Sequence, residues 1–136
     1  MSDFNTQVIE EFRTNEGKVS GPFQGAPMIL ITALGAKSAQ PRVFPLVYTT
    51  DGDRIVIIAS KGGAPTHPDW YFNLVAHPDV TVEIGAEKFQ AKATEVHGAE
   101  RDRLFAAQGA LMPNFLEYAE QAKGIRTIPV FVLERI

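Results

Sequence analysis

The chain has 136 residues, 45% of them hydrophobic and 21% charged, which predicts one globular domain over residues 1–136 with a core of its own. Its formal net charge of -3 argues against a nucleic-acid partner, because such proteins need a basic face to neutralise phosphates. The absence of cysteine excludes thiolate catalysis, disulfides and Cys-ligated metals, and it fits a cytoplasmic location.

The first segment predicts a helix over about residues 3–16, because Val8, Ile9 and Phe12 form an apolar stripe at helical spacing. After a Gly/Pro-rich connector, "MILITAL" (28–34) is typical of a buried strand. The chain has no run of 18 apolar residues, so we expect no transmembrane segment. Contact of the first helix with a membrane surface stays open.

The middle of the chain predicts a hairpin and a short helix. "VFPLVYTT" (43–50) and "DRIVIIAS" (53–60) flank Asp51-Gly52, and Asp-Gly is a strong hairpin signal. The Gly/Pro-rich stretch after the second strand should lead into a helix over about residues 68–76.

The C-terminal half predicts a second hairpin, two helices and a closing strand. "DVTVEI" and "KFQAKATEV" alternate between apolar and polar residues, as strands with one wet face do. Residues 98–124 are helical in composition, and Pro113 should divide them into two pieces. With the last strand at 127–136, six strands without regular βαβ alternation predict a small antiparallel barrel.

The histidines give no support for a metal site. His67, His77 and His97 are widely separated, without the spacing of metal ligands, and the first two precede prolines. A turn or helix-border role is therefore favoured for His67 and His77, and we predict no bound metal.

Two basic loops are candidates for binding an anion. "GAKSAQPR" carries Lys37, Ser38 and Arg42 in a bend whose backbone N–H groups could form a concave anion site. The alternative is a solvated loop with ordinary surface cations. "ASKGGAP" places Ser60 and Lys61 at the end of another strand, so the two loops at one rim would suit a phosphate or carboxylate ligand.

Trp70 and Asn73 lie three residues apart on the predicted short helix and should share one face. An aromatic plane beside an amide could flank a planar ring and bind its polar edge. Trp70 could instead be a core anchor. The residues alone therefore predict an anion site and leave open whether a planar ring binds beside Trp70.

Four motifs occur in register: Gly-x-Lys-Ser-x-x-Pro-Arg, x-x-Pro-Leu, Ala-Ser-x-Gly-Gly-x-Pro and Pro-x-Trp-Tyr-x-Asn-Leu. In this respect the sequence resembles the deazaflavin-dependent nitroreductase family, split β-barrel oxidoreductases that use coenzyme F420. The resemblance covers nearly the whole chain. It implies an α+β, mainly β fold: a single-domain split β-barrel, similar to FMN-binding split barrels, with an N-terminal helix and other helices around about six antiparallel strands.

The resemblance also implies which residues bind the coenzyme. Those of the first turn would hold its phosphate and acidic polyglutamate tail, and residues of the following strand would line the deazaflavin ring, partly through backbone groups. The second loop would approach the ring and the ribityl chain. The implied cofactor-binding set is Lys37, Ser38, Ala39, Arg42, Pro45, Leu46, Val47, Ala59, Ser60, Lys61, Gly62, Pro65, Trp70 and Asn73.

The implied activity is hydride transfer from reduced coenzyme F420 to a lipophilic acceptor such as a quinone, an enone or a nitro compound. In the best-known nitroreductases of the family, tyrosines before the last strand line the substrate side. The matching segment "MPNFLEY" retains Tyr118, the candidate catalytic residue, but has Met112 and Phe115 at positions where tyrosine is expected. This departure disfavours nitroimidazole reduction and favours a quinone, with simple packing as the alternative role.

Two other functions stay open on the sequence alone. An FMN-dependent split-barrel oxidoreductase would use the same basic rim for the FMN phosphate, and a non-catalytic carrier would bind a flavin or deazaflavin without turnover. The expected partner is a small-molecule acceptor. Related split barrels are often dimers, so a homodimer is expected, with a monomer as the alternative. Association with a membrane also stays open.

Overall fold

The computed structural model describes residues 3–18, 27–60 and 66–136, which form four helices and seven strands. All strand pairs in these ranges are antiparallel and belong to one sheet, whose order is β2-β1-β5-β6-β7-β4-β3. The α+β, mainly β architecture expected from the sequence is confirmed. The elements are α1 (Asp3–Thr14), β1 (Met28–Leu34), β2 (Pro41–Val47), β3 (Thr49–Asp51), β4 (Arg54–Ile58), α2 (Asp69–Ala76), β5 (Asp79–Ile84), β6 (Glu87–Val96), α3 (Gly98–Leu111), α4 (Asn114–Ala122) and β7 (Val130–Arg135).

The connection between β2 and β3 requires the sheet to curl. These strands lie at opposite ends of the sheet order, yet only Tyr48 separates them in sequence. Two Cα–Cα steps span at most ~7.6 Å, whereas six strand spacings in a flat sheet would span roughly 29 Å. The two edges must therefore approach each other, which produces the expected barrel with a split between its edges.

The expectation of six strands was wrong by one, because residues 43–50 do not form a single strand. The backbone N–H of Tyr48 donates to the carbonyl of Pro27 at 3.1 Å, on the β1 side. The next residues, beginning at Thr49, pair with β4 instead. The chain changes partner at Tyr48, and periodicity alone cannot show a change of partner.

The two faces of the sheet carry separate apolar clusters. Alternate residues of β4 and β7 point to opposite sides, so Ile57 and Phe131 enter the barrel while Val56 and Val132 lie outside it. The inner core comprises Ile29, Ile31, Ala33, Phe44, Ile57, Leu74, Val80, Val82, Ala91, Ala93, Phe131 and Leu133. The outer cluster, beneath α3 and α4, comprises Val56, Ile58, Val96, Leu104, Phe105, Phe115, Ala122, Ile128, Val130 and Val132.

Helix α1 covers the outside of β1 and β2. Val8, Ile9 and Phe12 pack against Met28 and Leu30, whose neighbours along β1 point into the inner core. The helix ends at Thr14, two residues before the predicted end. None of the helices in the described ranges is both long and apolar enough to cross a membrane.

Candidate active site

A large open groove lies between the β1–β2 turn, β2 and α2. Its volume is about 1180 Å³, which is at the upper end of small-molecule sites. The groove therefore has room for a long cofactor. Its lining residues are Gly35, Ala36, Lys37, Ser38, Pro41, Arg42, Val43, Phe44, Asp69, Trp70, Phe72 and Asn73.

The basic turn of this groove is held by its own hydrogen bonds. The N–H of Gly35 donates to the carbonyl of Gln40 and the N–H of Ala39 donates to that of Gly35, both at 2.9 Å. Ser38 Oγ accepts the Gln40 N–H at 3.2 Å, and it lies where a Cβ on Gly35 would be only 2.5 Å away. Ala39 has a φ of 55°, a left-handed conformation that is unfavourable for alanine. The turn thus has a defined shape, and Lys37 is exposed on it.

Asn73 attaches this turn to α2. Its Oδ1 accepts the backbone N–H of Ala36 at 2.9 Å, and its side-chain NH2 group remains a donor beside the groove. The sequence predicted that Asn73 belongs to the site, but not that its side chain holds the turn. This hydrogen bond joins α2 directly to the turn.

Trp70 and Phe44 form a flat aromatic wall. Their ring centroids are 5.4 Å apart and the rings are inclined by only 10°. Trp70 also packs against the inner core, where its ring lies 6.0 Å from that of Phe131. The two alternatives for Trp70 are therefore compatible, since one side of the ring packs on the core and the residue still lines the groove.

Strand β2 has a free edge in the described part of the chain. The N–H of Tyr48 and the carbonyl of Gln40 both bond toward β1, so the even-numbered residues between them do so too. The odd-numbered residues direct their backbone groups away from β1. Pro41 and Pro45 lack an N–H, so the donors along this edge are the N–H groups of Val43 and Val47.

The side chains of the three predicted ring-contacting residues lie on either side of β2. Leu46 packs against the inner core, whereas Val47 packs against the cluster beneath α1. Pro45, which precedes them in the strand, is half-buried. The groove lining reaches Val43 and Phe44 but does not include Pro45, Leu46 or Val47, which follow along the same strand.

The end of β4 is buried next to β7. Ala59 is fully buried and its N–H donates to the carbonyl of Pro129 at 2.9 Å, while Ser60 is 8% exposed. Neither residue is among those that line the groove in the described ranges. The predicted site residues Lys61, Gly62 and Pro65 lie outside the described residues.

The predicted substrate-side residues lie against the outer cluster. Phe115 is buried there, and Met112 and Tyr118 pack against it. Asn114 Nδ2 donates to the Tyr118 hydroxyl oxygen at 3.0 Å, and the Phe115 and Tyr118 rings meet edge to face at 5.4 Å. The substrate-side candidates at the α3–α4 junction thus form a group separate from the candidates at the groove, and Tyr118 is not part of the groove lining.

Sequence reasoning missed Arg126, which binds the end of β4. Its Nη1 donates to the carbonyl of Ala59 at 3.1 Å and its Nη2 to that of Ser60 at 2.8 Å. The same Nη1 lies 3.1 Å from Nδ1 of His67. Burial lowers the pKa of Arg126. No spacing rule singles out an arginine before a last strand, so the sequence carried no signal for this role.

His67 and its neighbours form a polar cluster near the start of α2. The His67 ring stacks on that of Tyr71, with centroids 4.3 Å apart, and the Tyr71 hydroxyl donates to Glu95 at 3.2 Å. Burial and then the charge of Arg126 lower the pKa of His67, while Glu95 opposes them. Burial and the charge and hydrogen bond of Glu95 raise the pKa of Tyr71. In the described ranges, no three His, Asp or Glu side chains are grouped to hold a metal.

The sequence matches a family described as F420H(2)-dependent quinone reductase over residues 5–135. The chain belongs to this family. A Mycobacterium tuberculosis H37Rv protein named as an F420H(2)-dependent quinone reductase is 39% identical over 128 residues, which are 91% of this chain and 85% of that protein. The expected relationship to deazaflavin-dependent reductases is confirmed.

Two solved structures of similar sequence share the fold of this chain. An F420-H2 dependent reductase, FDR-A, superposes with a TM-score of 0.72 at 38% identity, covering 79% of this chain and 94% of that one. A second structure, described as a domain-swapped dimer, has a TM-score of 0.74 at 36% identity and covers 95% and 93% of the two chains.

Proposed function

We propose that this chain is an oxidoreductase that uses reduced coenzyme F420 to reduce a lipophilic acceptor, with a quinone as the favoured class. The observation that carries the proposal is the groove, in which a basic turn and a flat aromatic wall meet in a member of the F420H(2)-dependent quinone reductase family. When bound, the reduced deazaflavin supplies a hydride to the acceptor.

The charge of the groove suits an anionic coenzyme. Lys37 and Arg42 are both exposed at its rim, and Asp69 is the single carboxylate among its described lining residues. The local charge is therefore about +1 in a chain whose formal net charge is -3. This local excess of positive charge supports binding of the phosphate and the acidic tail there.

The uncharged residues would orient the ring and the turn. Asn73 holds the turn through Ala36, and the Ser38 hydroxyl still has its hydrogen to donate after accepting the Gln40 N–H. The free edge of β2 offers alternating donors and acceptors to the polar edge of a planar ring. Trp70 would set the plane in which that ring lies, since it already stacks on Phe44.

The acceptor side of the proposal rests on the α3–α4 junction. Asn114 donates its N–H to the Tyr118 oxygen, so the hydrogen of that hydroxyl remains available for donation to a substrate. Met112 and the buried ring of Phe115 make the surroundings of Tyr118 apolar, consistent with a quinone. Tyr118 is thus the proposed proton donor.

A binding titration tests the coenzyme. We expect saturable quenching of coenzyme F420 fluorescence by the purified protein and much weaker binding of FMN under the same conditions. Tighter binding of FMN, or no saturable binding of either, would contradict the proposal. Reduced coenzyme should then be oxidised in the presence of menadione, and binding without oxidation by quinone, enone or nitroaromatic acceptors would indicate a carrier instead.

We also propose a homodimer, for which the similar structure described as a domain-swapped dimer is the support. Sedimentation equilibrium over a hundredfold range of protein concentration should show a mass above the 14.9 kDa of one chain. A single species of that mass at every concentration would exclude the dimer.

A further inference from the structure

One guanidinium group joins two segments that flank residues 61–65. Arg126, which follows α4, donates to two consecutive carbonyls at the end of β4, those of Ala59 and Ser60. It also reaches His67, just before α2, at 3.1 Å from Nδ1. Ala59 and His67, which are eight positions apart on either side of this stretch, are therefore held by a single side chain.

The contact with His67 depends on the protonation state of the imidazole. A guanidinium can only donate hydrogen bonds, so Nδ1 of His67 must be unprotonated and accept. The two hydrogens of Arg126 Nη1 then have one acceptor each, the Ala59 carbonyl and the imidazole. Protonation of His67 would replace this hydrogen bond with two cations at a distance of about 3 Å.

Among the described residues, the groups that face His67 come from three segments of the chain. Arg126 approaches from the segment after α4, Tyr71 stacks on the ring from α2, and the charge of Glu95 on β6 acts on the imidazole. Phe72 of α2 meets the ring edge-on at 6.1 Å and carries no charge. Glu95 alone among these groups favours the protonated ring, and it is already engaged by the Tyr71 hydroxyl.

We propose that Arg126 is a positioning residue for the coenzyme site, and that it holds the end of β4 to the start of α2 only while His67 is neutral. Since α2 carries the groove residues Trp70 and Asn73, the clamp formed by Arg126 and His67 sets the position of the aromatic wall relative to the end of β4. The effect on coenzyme binding rests on the proposed function, whereas the clamp itself does not.

Arg101 provides a matched control. Its Nε and Nη2 donate to a single backbone carbonyl, that of Ile128, at 3.1 and 2.9 Å, and the guanidinium lies 4.6 Å from the centroid of the Phe105 ring. It is thus another half-buried arginine that fastens the segment before β7, but its other contacts, with Asp102 and Phe105, lie on α3. Arg101→Lys removes the same forked geometry without touching Ala59, Ser60 or His67.

The first experiment uses the coenzyme-free protein. Hydrogen–deuterium exchange is followed in peptides that cover residues 59–60 and 66–76, and the His67 titration is followed by NMR. Arg126→Lys should raise exchange in those peptides about tenfold, since a lysine cannot reproduce the forked hydrogen bonds. Arg126→Gln should raise the pKa of His67, because the opposing charge is lost. Arg101→Lys should change neither quantity, and equal changes in both arginine variants would overturn the proposal.

The second experiment follows coenzyme binding between pH 5 and 8. Neutral His67 is favoured above its usual pKa of 6.5, so the clamp should be complete at pH 7.5 and should be lost as the pH falls through the lowered pKa. His67→Asn keeps an acceptor oxygen that does not titrate, whereas His67→Phe keeps only the stacking on Tyr71. We expect wild-type binding to weaken at low pH by about tenfold more than that of His67→Asn, and His67→Phe to bind weakly throughout.

The two experiments separate the clamp from the proposed function. The coenzyme's own titration is common to all variants, so the comparison between wild type and His67→Asn removes it. If the wild-type protein binds no coenzyme, the proposed function fails, while the exchange and NMR results still decide on the clamp. An identical pH dependence in wild type and His67→Asn, together with unchanged exchange in Arg126→Lys, would refute the clamp.

Discussion

Removal of the two rim cations should weaken coenzyme binding by an amount that can be worked out from their exposure. Lys37 and Arg42 are both exposed, so their charges act through a water-like dielectric. An ion pair at about 4 Å in water contributes ~1 kcal/mol, which corresponds to about a fivefold change in affinity. The double variant Lys37→Ala/Arg42→Ala should therefore bind the coenzyme roughly 30-fold more weakly if the two effects add. In this variant Asp69 is the one charged side chain left among the described groove residues, and its negative charge repels an anionic coenzyme. The loss of affinity should therefore be at least ~30-fold.

The assay is a fluorescence titration of the coenzyme at two salt concentrations and with two tail lengths. At 1 M salt the Debye length falls to ~3 Å, so the difference between wild type and the double variant should shrink. At low salt the difference should grow as the polyglutamate tail lengthens. The control is Lys88→Ala on β6, an exposed lysine outside the groove lining that changes the net charge by the same amount as either single variant.

The results that would refute this reasoning are specific. If Lys88→Ala weakens binding as much as Lys37→Ala, only the net charge matters and the groove is not the site. If the double variant loses the same affinity for tailless and long-tailed coenzyme at both salt concentrations, the two side chains do not meet the acidic tail.

Three further predictions concern the aromatic wall, the proposed proton donor and an ion-pair cluster. Trp70→Ala should weaken coenzyme binding about tenfold or more, whereas Trp70→Phe, which keeps a ring against Phe44, should weaken it less in the same titration. Tyr118→Phe should lower kcat for menadione about tenfold or more with an unchanged Kd for the coenzyme, as measured by stopped-flow oxidation of the reduced coenzyme; an unchanged kcat would exclude Tyr118 as the donor. Hydrogen bonds from Arg103 and Arg54 hold the pKa of Asp51 well below its usual range, so its contribution to stability is present at neutral pH and lost as the pH falls below about 4. Asp51→Asn, which preserves a favourable Asn-Gly turn, should lower the urea midpoint at pH 7, and the difference from wild type should shrink toward pH 3.

Local sequence signals predicted the elements whose structure is decided locally. The β3–β4 hairpin turns at Asp51-Gly52, where Gly52 has a φ of 62°, and the predicted break at Pro113 separates α3 from α4. In both cases the backbone preference of one or two residues determines the outcome. The division at Tyr48 could not be predicted in this way, because it depends on which distant strands pair with the residues on either side.

The candidate site shows the same division between local and distant determinants. Lys37, Ser38 and Arg42 lie in one turn, and Trp70 and Asn73 lie in one helix, so each group could be recognised from spacing; the structure places both groups on one groove. The role of Arg126 depends on a contact across 66 and 67 positions of sequence, to Ser60 and Ala59. Such a contact leaves no trace in local periodicity.

The free edge of β2 connects the fold to the proposed function. An unpaired edge strand can pair with another chain, and proline or charge on the edge opposes this. Here Pro41 and Pro45 occupy two of the four positions whose backbone groups face away from β1, while Val43 and Val47 keep their N–H groups. The edge is therefore a poor partner for a continuous strand but still offers separated donors to a compact ligand. Prolines spaced four residues apart beside a basic turn thus indicate a strand edge that binds a ligand. This indication can be recognised only once the register of β2 against β1 is known.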